Sequence, residues 1–160
     1  MKKTTIFIVT LLIMAITAQA QGIEKLVSKY SNDKRFTYVA LSADLIQFGL
    51  SFIDDVDINK IIKDDLKLKG LKLLTLESES EADEKMIELI TDELDDVLKK
   101  DSKSETVIET REKGDVTKVY ATSEGLLIVT RESKELSVIF LAGELSAQAI
   151  KKIISQARKK

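Results

Sequence analysis

The sequence predicts an α+β fold: a mixed sheet of about six strands, ending in a four-strand antiparallel meander, covered by four to five helices. Three observations point there. Residues 125–143, GLLIVTRESKELSVIFLAG, hold two apolar runs of strand composition around a charged turn. Ahead of them, two alternating segments are joined by short glycine-containing turns, which makes four sequential strands. Apolar stripes at helical spacing flank these runs on both sides.

The 125–143 stretch organises the rest. Successive side chains of a strand point to opposite faces, so Leu126, Ile128 and Thr130 share one face and Leu127, Val129 and Arg131 the other. The return run places Leu136, Val138 and Phe140 opposite Ile139 and Leu141. A hairpin apolar on both faces belongs inside a sheet, with the other strands and helices arranged around it.

From the N-terminus, Lys2 and Lys3 precede an uncharged run from Thr5 to Thr17, followed by Ala18-Gln19-Ala20. A basic start, a short apolar middle and small residues two apart form a secretory signal peptide, with cleavage between Ala20 and Gln21. The run is shorter than the roughly 20 residues that a spanning helix needs, and no cysteine follows to take a lipid. The expected organisation is therefore a signal peptide over 1–20 and one α+β domain over 21–160. The expected location is the periplasm or the exterior, with neither a transmembrane segment after signal removal nor a lipid anchor.

Ile23, Leu26, Val27 and Tyr30 predict a helix within 22–32, and residues 35–42, RFTYVALS, a strand. Ser42 can cap a helix over 43–53, which is apolar most of the way round and so expected to be well buried. Asp55, Asp57 and Asn59 alternate like the first ligands of a calcium loop, but the sixth and twelfth positions hold Lys60 and Leu66 where glycine and glutamate are required. The pattern fits Asp57 capping a helix through Asp65, ended by Gly70. A strand over 71–76 follows.

Residues 77–96 hold ten acidic residues and one lysine. Ser80 with Asp83, or Ser78 with Glu81, marks a helix start. Met86, Ile87, Ile90, Leu94, Val97 and Leu98 form its buried stripe, while Glu84, Glu88, Asp92 and Asp95 face away as a solvated surface or, alternatively, a cation-binding or partner-docking face. Strands over 106–111 and 116–121 turn at Lys113-Gly114-Asp115, and Ser123-Glu124-Gly125 leads into the hairpin. Gly143 ends the meander, and Ser146 caps a last helix with Ile150, Ile153, Ile154 and Ala157 on one face.

Chemistry is bounded mainly by what the chain lacks. The 25 basic residues lose Lys2 and Lys3 with the signal, leaving 23 against 27 acidic and a net charge of −4. That balance argues against nucleic acid as a partner. There is no histidine and no cysteine, which removes the usual neutral-pH base, the most reactive nucleophile, disulfides, and histidine or cysteine metal sites. No GxxxxGK[ST] or GxGxxG occurs. Carboxylate chemistry and serine–lysine pairs stay open, the latter at Ser133-Lys134 and Ser102-Lys103, which read as turn residues. No catalytic, cofactor-binding or metal residue is nominated.

The order of pieces, with RFTYVALSADL, then INKIIKDDLKLKGLKLL, then ELSVIFLAGELSAQAI, resembles the exported bacterial family catalogued as domain of unknown function 4252. The resemblance covers nearly all of the chain after the signal. It implies a small envelope protein of a Gram-negative bacterium. Some members carry a lipid-anchoring cysteine after the signal, and this sequence departs from them there. It implies no activity and no catalytic residue.

The leading expectation is a non-enzymatic periplasmic binding or protein-interaction module whose partner is an envelope protein. A carboxylate-dependent hydrolase of an envelope polymer is the alternative enzyme reading. A peripheral membrane factor using Lys151, Lys152 and Arg158–Lys160 is a third. Export itself is directly checkable: the protein recovered from outside the cytoplasm should begin at Gln21 by N-terminal sequencing and intact mass. A retained Met1 would remove the basis for an exported protein.

Overall fold

A computed structural model describes residues 22–50 and 66–157. The expected signal peptide with its Ala20–Gln21 junction, the aspartate-rich helix expected up to Asp65, and the tail 158–160 lie outside the described residues. The chain runs through α1 (Ile23–Lys29), β1 (Thr37–Ser42), α2 (Ala43–Leu50), β2 (Leu66–Glu77) and α3 (Glu81–Lys100). It continues through β3 (Glu105–Glu112), β4 (Asp115–Ala121), β5 (Gly125–Arg131), β6 (Glu135–Leu145) and α4 (Ala147–Ala157).

The six strands form one sheet in the order β1-β2-β6-β5-β4-β3. β3 to β6 are the expected meander, and β5 and β6 occupy the two central places. Every pairing is antiparallel, so the sheet is not mixed as expected. The reason lies in β2, which enters between β1 and β6 and runs against both.

One face of the sheet carries the core. Leu74 and Leu76 of β2, Leu136, Val138 and Phe140 of β6, and Leu127 of β5 pack with Ile23, Leu26 and Val27 of α1 and Ile87, Ile90 and Leu94 of α3. Phe140 and Leu127 are opposite each other in register and completely buried. α3 follows the acidic stripe pattern closely. Ser80 caps it, its hydroxyl accepting from Asp83 N–H at 3.3 Å, and Lys99 and Lys100 lie at the negative end of the helix dipole.

The opposite face alternates apolar and hydroxyl rows. Val39, Leu73, Ile139, Ile128, Val119 and Ile108 stand side by side across all six strands. Two residues further along, Thr37, Thr75, Ser137, Thr130, Thr117 and Thr110 form a parallel hydroxyl row. Within it the Thr117 and Thr130 hydroxyls are 3.2 Å apart. α4 packs beside β3, with Ala149 fully buried and Ser146 Oγ accepting from Ala149 N–H at 3.0 Å.

Three local expectations are corrected. Gly70 does not end a helix but lies inside β2, beside a register shift between Leu68 and Gly70. Gly143 likewise lies within β6, where a Cβ would come 2.6 Å from the Lys67 carbonyl oxygen; both glycines serve close strand approach. α2 is not well buried, since Leu45 is 52% and Phe48 63% exposed. Among the described residues it meets the sheet mainly at β2 and β1, so a helix apolar most of the way round does not hide every side.

The β4–β5 turn ties distant parts together. Gly125 has φ +148°, and a Cβ there would run into the Leu141 carbonyl oxygen. Thr122 Oγ1 accepts from Gly125 N–H at 3.1 Å, and Gly143 N–H donates to the Glu124 carbonyl at 3.0 Å. Ser123 N–H donates to Asp101 Oδ2 at 2.7 Å, fixing the end of α3. The Glu124 carboxylate accepts from Ile23 N–H at 2.9 Å and Glu24 N–H at 3.3 Å. Gly22 supplies no side-chain cap, so the cap of α1 comes from a turn 101 residues away. Glu124→Ala should cost about 1 kcal/mol in urea unfolding, the usual worth of a cap, and speed hydrogen exchange at the Ile23 and Glu24 amides. Unchanged exchange there would show that Glu124 does not cap α1.

Candidate functional site

Coverage of the core face fades across the sheet. The inward side chains of β2 and β6 (Leu74, Leu76, Leu136, Val138, Phe140) are buried, as is Leu127 of β5. Val129 and Arg131 of β5, and Val116, Lys118 and Tyr120 of β4, are half-buried, while Thr106, Glu109 and Arg111 of β3 are exposed. Where the sheet runs out from beneath α3 a groove of about 460 Å³ opens.

Its floor is Val116, Lys118 and Tyr120 of β4, Val129 and Arg131 of β5, and Leu136 of β6. Its wall is α3, presenting Glu88, Thr91, Asp92 and Asp95 above Ile87, Leu94 and Leu98. Period 2 on the strands and period 3.6 on the helix put these side chains together. Glu88, Asp92 and Asp95 are exposed along the rim. Among the described residues no ion pair joins them to Lys118 or Arg131. Arg131 Nη1 donates to the Glu135 carbonyl at 3.3 Å, and Lys118 lies in register with Glu109. Glu109 is held below the usual carboxylate range mainly by its hydrogen bond from Arg111, with a smaller contribution from the charge of Lys118.

The same helix spends its next acid structurally. Glu93 accepts from Lys29 Nζ at 2.7 Å and from the Tyr30 hydroxyl at 2.8 Å, locking α1 against α3. The acidic face expected from sequence is thus divided: Glu84 is solvated, and Glu88, Asp92 and Asp95 edge the groove. Lys118, Tyr120, Val129 and Arg131 carry no recognisable site motif in the sequence. The signal for them was the appearance of lysine and arginine among apolar residues of one strand face.

A second concavity, about 360 Å³, lies at the other end of α3 and is lined by Lys34, Arg35, Thr37, Thr75, Leu76, Glu77, Glu79 and Asp83. Its arginine is committed, since Arg35 donates to both carboxylate oxygens of Asp33 at 3.0 and 2.6 Å and holds that acid down to about 2. Ser133-Lys134 and Ser102-Lys103 lie in turns and line neither concavity. Among the described residues no group of three acids converges as metal ligands, and no helix is long and apolar enough to cross a membrane.

Tyr120 reports on the groove. Burial pushes its hydroxyl above the ordinary 10.0, and the charges of Asp95 and Glu109 push it the same way. In ultraviolet titration read against Tyr120→Phe, Asp95→Asn should therefore lower the ionisation of Tyr120 part of the way back. An unmoved titration would place Asp95 away from the ring.

No curated protein and no solved structure matches the chain. The family model described as a domain of unknown function (DUF4252) matches residues 30–153, which include every strand, α2, α3 and most of α4, together with the floor and the wall of the groove. The chain belongs to that family.

Proposed function

We propose that this protein is an exported, non-enzymatic binding or protein-interaction module of the periplasm, and that the groove between α3 and β4–β5 is its binding site. The observation that carries the reading is the make-up of the groove. A floor that sets Lys118 and Arg131 among Val116, Tyr120, Val129 and Leu136, under an acidic rim, suits recognition, and a volume of about 460 Å³ falls within the range of ligand sites.

The hydrolase alternative has less support. Glycoside hydrolysis needs two carboxyl groups flanking the scissile bond. Glu88, Asp92 and Asp95 stand on one wall, and the floor facing them offers lysine, arginine and tyrosine. Export rests on the signal-like residues 1–20, and the missing histidine and cysteine support a module without catalysis.

Recovery of the protein from envelope extract, beside a Thr91→Trp variant, tests the reading. Thr91 is half-buried on the groove wall, and an indole there would occupy the space a bound molecule needs. Wild type should elute with a bound molecule or protein in stoichiometric amount, and the variant should lose most of it. Elution alone, or equal retention by the variant, would overturn the proposal.

A further inference from the structure

We infer that the groove docks a helical segment of a partner protein that turns an apolar face to the floor and a lysine- or arginine-bearing flank to α3. This rests on the groove being the binding site and adds the chemistry of its occupant.

The shape favours a segment over a compact molecule. The wall extends from Ile87 to Leu98, about 16 Å at 1.5 Å per residue. Beyond the β4 side of the groove lies the sheet edge, where Glu109 and Arg111 of β3 are exposed. From the groove outward this face is half-covered at β4 and exposed at β3, a lane of two strands of roughly 4.8 Å spacing. Its width of about 10 Å matches the diameter of one helix and the distance at which helices pack side by side. α1 and α3 already cover the other strands in this manner, so the docked segment would continue the same layer.

Charge specifies the flank. Glu88, Asp92 and Asp95 follow i, i+4, i+7 spacing, which places them in one line along the edge of α3. No ion pair among the described residues engages them. A helix alongside with basic residues at the same spacing would pair all three. Val116, Tyr120 and Val129 would take its apolar side chains, and Lys118 and Arg131 a carboxylate or the carbonyls of its C-terminal end.

The test uses the full chain and two fluorescent synthetic helices of about 18 residues, each with a leucine face, one with a lysine flank and one with glutamate there instead. Anisotropy should show the lysine peptide binding at least about tenfold tighter than its twin. The triple variant E88K/D92K/D95K changes only exposed side chains, and circular dichroism checks its fold. It should lose the lysine peptide and gain the glutamate one, with amide shifts at Val116, Lys118, Tyr120 and Val129 marking the groove in both cases. Equal binding of the two peptides, binding indifferent to the triple variant, or shifts elsewhere would overturn the inference. If neither peptide binds while envelope material is still retained in a Thr91-dependent way, the helical occupant fails and the binding-module reading stands. Loss of both signals removes both.

Discussion

Burial of one face of the β5–β6 ribbon beneath α1 and α3 is the constraint on which the rest of the molecule depends. Phe140 and Leu127 meet in register at its centre, and the leucines and isoleucines of both helices close over them. Two helices of 7 and 20 residues cannot cover six strands, because a helix spans about two strands of a sheet. The deficit falls on β4 and β3, and the groove is its geometric result. Site and core therefore share one cause: the place where the covering layer stops.

α3 shows how one sequence pattern serves two ends. Its apolar stripe is buried and its N-terminus capped, while its acids divide by direction. Glu93 points toward α1 and is used by Lys29 and Tyr30. Glu88, Asp92 and Asp95 point the other way, over half-buried strand residues. Charge on that side does little for the fold, since exposed carboxylates without partners contribute little stability. Their arrangement matters for what can approach.

Much of the fold was legible in the sequence because its signals are periodic. The α3 stripe, the alternation in β5 and β6 and the meander could all be read from residue spacing and order. Gly70 and Gly143 misled because a glycine that ends an element and one that lets two strands approach look alike in one dimension. The burial of α2 misled because an apolar composition says what a helix could hide and not how much surface it meets. The direction of β2 depends on which strands it joins, and periodicity carries no such information. The groove was half legible. The acidic row and the parity of Arg131 with Leu127 and Val129 were evident, but the gap in coverage exists only once helices and strands are counted against each other in space.

The remote cap on α1 bears on the order of assembly. A seven-residue helix does not persist alone in water, and the carboxylate that receives its first amides belongs to residue 124. Whatever the route by which the chain is delivered, its earliest described helix is secured only after the turn between the fourth and fifth strands has closed. A chain truncated before Glu124 would leave Ile23, Leu26 and Val27 as a greasy, unanchored leader, so proteolytic sensitivity of the N-terminal end becomes a gauge of whether the distal half has finished folding.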